Sequence, residues 1–152
     1  MEVFRLSREK FSTVLSGIGA AIKGARWNSV GTEIIYTAAN RSLAMAEVAV
    51  HFSISTIPDD YVMITIFIPD DVLIKKITVA ELPQNWNTFP HPSSTQIVGD
   101  KFIFENKYCV LQIPSSVTQG DYNFLVNPNH VDFKKIKITD VVKFTFDQRL
   151  FK

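Results

Sequence analysis

Tyr61 to Ile68 reads YVMITIFI, a run that is β-branched, aromatic or otherwise apolar at nearly every position. A strand with one wet face alternates polar and apolar residues, so this composition predicts a strand covered on both faces. Pro69-Asp70-Asp71 makes a turn after it, and Val72 to Val79 gives a second strand, so the two read as a hairpin. Upstream, Glu33 to Ala38 (EIIYTA) reads as a strand with Ile35 facing one way and Ile34 and Tyr36 the other. Asn40 is placed to cap a helix of about a dozen residues ending near Phe52 or Ser53. Val3 to Leu6 reads as a first strand. Ser7 then caps a helix in which Phe11, Val14 and Leu15 share a face. Gly17, Gly19 and Gly24 break regularity, and Gly24 to Gly31 reads as an irregular loop.

Downstream, Pro83 to Ser94 (PQNWNTFPHPSS) is a loop long enough to carry function or to act as a lid. Lys101–Phe104 and Tyr108–Ile113 read as an antiparallel pair around Glu105-Asn106. Tyr122–Val126 is a further strand before the turn Asn127-Pro128-Asn129. The tail alternates from Ile136 towards Phe151 as an antiparallel strand with one wet face does. The whole is an α+β domain spanning residues 1–152, with a mainly antiparallel sheet and two or three helices.

Composition limits the function. The 152 residues are 46% hydrophobic and include 12 Phe against 6 Gly, enough to build a core and unlike a disordered chain. A formal charge of +1 gives no long-range attraction to nucleic acid or to an anionic membrane, so an anionic ligand has to be held by a few local groups. Cys109 stands alone and lies in an apolar run, which suits a reducing cytoplasm and a buried thiol better than a nucleophile. No apolar h-region follows Met1, and no apolar run approaches the ~20 residues that span a bilayer. The expectation is a soluble cytoplasmic protein.

The polar residues that break the pattern gather between Gly24 and His51 (GARWNSVGTEIIYTAANRSLAMAEVAVH). The helix after Asn40 has hardly any polar face and should be buried nearly all round, yet Glu47 sits at its centre. A carboxylate there needs a partner, a solvent window or a chemical role; His51, one turn on, is one candidate partner. Arg26 lies among small and aromatic residues, where a planar fork suits phosphate or carboxylate, and Trp27 and Tyr36 supply flat surfaces nearby. Ser115 ends a strand after Pro114 without a G-x-S-x-G elbow, so a turn or cap role stands beside a functional one. His51, His91 and His130 form no metal-ligand spacing, and there is no glycine-rich phosphate loop, so neither metal nor resident cofactor is expected.

Seven stretches, taken in order, resemble the RES-domain family, the toxin halves of bacterial toxin–antitoxin pairs. They are VFRL at Val3–Leu6, GARWNSVG at Gly24–Gly31, IIYTA at Ile34–Ala38, SLAMAEVAVH at Ser42–His51, VGDKF at Val98–Phe102, LQIPSSV at Leu111–Val117 and YNFLVNPNH at Tyr122–His130. The Arg, Glu and Ser of the family name fall on Arg26, Glu47 and Ser115, and Tyr36 matches a family tyrosine. Two positions depart from the pattern: Ala25 stands where a second glycine is common, and Phe102 replaces a tryptophan.

The resemblance implies an ADP-ribosyltransferase-like fold and an activity on NAD+ as substrate. The nicotinamide–ribose bond is broken, with NAD+ depleted by hydrolysis or phosphorolysis, or with ADP-ribose transferred to a protein. It also implies a DNA-binding, Xre-like antitoxin that covers the active site. On this reading Glu47 stabilises the charged ribose and Arg26 grips the pyrophosphate. Tyr36 and Trp27 offer aromatic surfaces to the ligand, Ser115 hydrogen-bonds ribose or amide, and the turn at Asn127 closes the site. A non-enzymatic interaction module with a structural polar trio is the remaining alternative. Edge strands and the apolar tail at Leu150-Phe151 offer a surface for self-association.

Overall fold

A seven-stranded sheet organises the computed structural model, which describes residues 1–151. In chain order the elements are β1 (Glu2–Arg8), α1 (Ile18–Lys23), β2 (Ile35–Ala38), α2 (Arg41–Ala49), β3 (Tyr61–Phe67), β4 (Ile74–Lys76), α3 (Ser93–Glu105), β5 (Val110–Pro114), β6 (Tyr122–Val126) and β7 (Lys137–Lys143), joined by loops and short 3-10 turns. Across the sheet the order is β4-β5-β6-β2-β1-β3-β7, antiparallel except for the parallel pair β4 and β5. The fold is α+β with a mainly antiparallel sheet and three helices. No helix among the described residues is long and apolar enough to cross a membrane.

β3 is the apolar run at Tyr61, and it is flanked on both sides, by β1 along its whole length and by β7. Strand alternation splits the core in two. Val3, Ile35, Ile64, Ile66, Val110, Phe124 and Val126 fill one face. On the other face Phe4, Leu6, Ala38 and Met63 pack under α2, whereas Ile34, Leu111, Ile113 and Leu125 pack with Trp27 and with Phe102 of α3. Ile34 and Tyr36 therefore face away from Ile35, as their alternation requires.

Three local expectations are corrected. Ser7 caps no helix: it pairs with Val62 inside β1, and Phe11 and Val14 are exposed. A seven-residue ladder with β3 outweighs a short amphipathic turn, and the first helix forms later, across Gly19. β4 makes no hairpin with β3, because both edges of β3 are already taken; it pairs instead with β5, from Ile74↔Val110 to Lys76↔Gln112. Parallel neighbours need a crossover, and α3 supplies it. Lys101–Phe104 thus lies within α3 rather than in a strand, and Thr95, Gly99 and Phe102 form the buried side of that helix.

α3 packs against backbone. A Cβ built on Gly99 would lie 1.6 Å from the carbonyl oxygen of Trp27. Beyond β7 the chain folds back, and Phe146 makes edge-to-face contacts with Phe52 and Tyr61, each at 5.7 Å between ring centroids. Gly99→Ala should therefore cost about 1–3 kcal/mol, the usual range for overpacking, read as a fall in the urea midpoint. Gly19→Ala, in α1 with open space around the added methyl, should instead add about 0.5–1 kcal/mol. Equal effects would show that α3 can retreat from Trp27.

Candidate active site

α2 begins where the sequence places it. The side chain of Asn40 accepts from the Leu43 N–H at 2.8 Å and donates to Asp121 at 2.9 Å, which ties the helix to the start of β6. The helix is not buried all round. Only Leu43 and Ala44 are buried, and Met45, Ala46, Ala49 and Val50 line an open groove bounded by Leu150 and Phe151. The strands already supply the core beneath α2, so one apolar stripe is enough to seat it. Glu47, near its end, is half-buried.

The partner of Glu47 is Ser115, not His51, which is exposed. The Ser115 hydroxyl donates to Glu47 Oε1 at 2.9 Å and accepts from the N–H groups of Val117 and Thr118 at 3.1 and 3.0 Å. A hydroxyl has one proton and two lone pairs, so its capacity is fully used. Ser115 is 2% exposed at the end of β5 and acts on the carboxylate alone. Oε2 of Glu47 makes no hydrogen bond among the described residues.

Arg26 stands across from this pair at the tip of a turn closed by the Ala25↔Asn28 bridge. Its Nη1 donates to the carbonyls of Trp86 and Thr88, each at 2.8 Å. Burial pulls its pKa down, and the charge of Glu47 works against that, which places the two groups within electrostatic reach of one another. Gln96 of α3 braces the same turn by donating to the carbonyls of Ala25 and Asn28, both at 3.2 Å. His91 lies beside Gln96, and burial together with the charge of Arg26 holds its pKa below the ordinary value.

Tyr36 packs against the cluster of Trp27, Ile34 and Leu111 on this face of the sheet. Its hydroxyl donates to Asn28 Oδ1 at 2.6 Å and accepts from the Trp27 N–H at 3.1 Å. Burial pushes the phenol's pKa well above its ordinary value, so the group stays neutral through the physiological range. Asn28 is fully buried, and its amide donates to the carbonyls of Ala20, Ser29 and Thr32. Asp100 accepts from both the N–H and the hydroxyl of Ser29.

The fold thus gathers Arg26, Tyr36, Glu47 and Ser115, and it places two other candidates elsewhere. Trp27 is 3% exposed and stacked on Trp86, so its ring is core and presents no face to a ligand. Asn127 is fully buried at the far end of β6 from Ser115, roughly 20 Å away at ~3.3 Å per residue. There it donates to Asn106, and its side-chain oxygen accepts from the Asn129 N–H. The residues the sequence did not assign to the site are Asn28, Trp86, Thr88, His91 and Gln96. Trp86, Thr88 and His91 lie in the Pro83–Ser94 loop, whose composition hinted at function; Asn28 and Gln96 carried no such signal. Among the described residues no three His, Cys, Asp or Glu side chains stand close enough to hold a metal ion.

Residues 2–147 match the model of the RES domain. The chain is 35% identical over 140 residues to a Sphingobium sp. (strain YBL2) protein described as a Prs ADP-ribosylating toxin, covering 91% of this chain and 87% of that one. It is 33% identical to a Toxin Res of Photorhabdus laumondii subsp. laumondii, with 100% and 98% covered. A chain in the crystal structure of the M. tuberculosis MbcT-MbcA toxin-antitoxin complex shares the fold at a TM-score of 0.74, covering 99% of this chain and 86% of that one at 22% identity. The match along nearly the whole length and the identity to these relatives agree: the chain belongs to the RES domain family.

Proposed function

We propose that this chain is the toxin of a toxin–antitoxin pair and that it breaks the nicotinamide–ribose bond of NAD+. The observation that carries this reading is the Glu47–Ser115 hydrogen bond, 2.9 Å long and set opposite Arg26 and Tyr36. As the C1′–N bond breaks, its electron pair leaves with the nicotinamide ring nitrogen and positive charge builds on the ribose. A carboxylate fixed beside C1′ stabilises that charge. Glu47 takes this role through Oε2, with Oε1 pinned by Ser115. The acceptor oxygen then bonds C1′ and loses its proton. Arg26 binds the diphosphate, and Tyr36 contributes its ring face, since its hydroxyl is already spent.

Water or phosphate as acceptor depletes NAD+. Transfer to a protein is the second reading, favoured by the relative described as ADP-ribosylating Prs. The partner is an antitoxin, for which the toxin–antitoxin complex among the structural neighbours is the support; a DNA-binding, Xre-like protein that covers the site fits the family.

The purified chain, freed of any partner, should consume NAD+. Free ADP-ribose or its phosphorylated form would mark depletion, and label on a protein would mark transfer. Glu47→Gln should lower turnover about 100-fold or more, as loss of a charge-stabilising group does; unchanged NAD+ consumption in this variant would sink the mechanism. Ser115→Ala leaves Glu47 in place but unpinned and should cost roughly 10–100-fold, the effect of misplacement. Tyr36→Phe keeps the ring yet strands two buried partners, so it should lose about 1–3 kcal/mol of stability in thermal unfolding while NAD+ turnover persists. Absence of turnover in the partner-free chain would instead favour a non-enzymatic interaction module.

A further inference from the structure

Arg26 is held by backbone rather than by a carboxylate. The two carbonyls that accept from Nη1 belong to one tight segment, Pro83 to Thr88. The Trp86 N–H donates to the Pro83 carbonyl, and both the N–H and the hydroxyl of Thr88 donate to the Asn85 carbonyl, at 3.2 and 2.9 Å. Asn85 sits at φ 64°, a left-handed conformation that Asn and Gly accept and β-branched residues resist. The Trp86 ring stacks on buried Trp27 at 6.3 Å with 27° between planes, which fixes the segment to the core. Both Nη1 protons are consumed, while Nε and Nη2 make no hydrogen bond among the described residues. No polar side-chain atom there is buried without a partner, so these donors reach solvent.

We propose that Trp86 is a positioning residue for Arg26. By stacking on Trp27 it holds the Asn85–Thr88 turn so that the two carbonyls block the Nη1 end of the guanidinium, leaving only the Nε–Nη2 edge to take an organic diphosphate side-on. A guanidinium binds oxyanions in bidentate fashion through a pair of neighbouring nitrogens. With Nη1 occupied, the end-on pair is lost and the side-on pair remains. Trp86 touches no ligand in this scheme and acts wholly through the arginine. The inference rests on Arg26 as the diphosphate grip of the NAD+ reading, and it sharpens that grip into one edge with one support.

The test uses the full-length chain and ADP as the diphosphate probe, so that it does not depend on turnover. Trp86→Ala should weaken ADP binding and raise KM for NAD+ roughly tenfold, the loss expected when one charge-assisted hydrogen bond is misplaced. Its kcat should stay within about twofold, and inhibition by nicotinamide, which carries no phosphate, should be unchanged. Trp86→Phe keeps a ring for the stack and should restore both ADP binding and KM. Asn85→Val should reproduce the Trp86→Ala phenotype without touching the stack, and Asn85→Gly should not, which covers the case in which Trp86→Ala fails to fold. Unchanged ADP affinity in Trp86→Ala or Asn85→Val overturns the proposal, as does absence of ADP binding to the parent chain. ADP binding that responds as expected in a chain without NAD+ turnover supports the positioning role and removes the NAD+ reading instead.

Discussion

The backbone of α3 lies against the carbonyl of Trp27 at a separation that only glycine at position 99 permits, and much of the molecule's order follows from that approach. Trp27 is buried and uses every part of itself. Its carbonyl seats α3, its N–H donates to the Tyr36 hydroxyl, and its indole carries Trp86. Three pieces of the site that are remote in sequence, the ring on β2, the loop that grips Arg26 and the helix covering the β5–β6 half of the sheet, take their positions from this one residue. Close packing of this kind transmits displacement rather than absorbing it. A shift of α3 would move Trp27 and, through it, both Tyr36 and the carbonyls on Arg26. Gln96 and Asp100 reinforce the arrangement, since α3 also hydrogen-bonds the turns on either side of Trp27.

Legibility in the sequence followed the nature of the signal. β3, β2 and β6 were readable because Tyr61–Phe67, Ile35–Ala38 and Tyr122–Val126 are rich in strand-forming residues, and in β2 alternation set Ile35 opposite Ile34 and Tyr36 as found. The cap at Asn40 was readable because capping is local chemistry. α3 was not, since Thr95, Ile97, Val98, Phe102 and Ile103 favour strands and Gly99 disfavours helix. That helix owes its stability to packing on Trp27 and Leu111, a tertiary cause no window of sequence contains. β4 misled for a related reason. Proximity in sequence favours a hairpin, but partners are decided by which edges are free, and β3 had none.

The site divides along the same line. Arg26 and Glu47 were conspicuous as charged residues among small, aromatic or apolar neighbours, whereas Ser115 fitted a turn or cap as well and stood out through the family pattern. Their connections did not show, because Ser115 meets Glu47 across 68 residues of chain. Trp27 drew attention as an aromatic beside an arginine, and nothing in its neighbours distinguishes a ligand platform from a core residue. The grip on Arg26 was invisible for a deeper reason. Backbone carbonyls of Trp86 and Thr88 perform it, and every residue has a carbonyl; only the turn that aims them depends on side chains, here Asn85 and Trp86.

The half-open state of α2 is best understood together with Glu47. Had the helix been enclosed on every side, its carboxylate would have needed partners for both oxygens, because an uncompensated buried charge costs several kcal/mol. Ser115 satisfies one oxygen only. Glu47 is only half-buried and no side-chain polar atom among the described residues is buried without a partner, so solvent serves the other. A second protein donor would have held the carboxylate more firmly and left it nothing to offer a ligand. The helix is therefore anchored at Leu43 and Ala44, tethered at Ser115 through Oε1 of Glu47, and left with Oε2 free of any protein donor among the described residues.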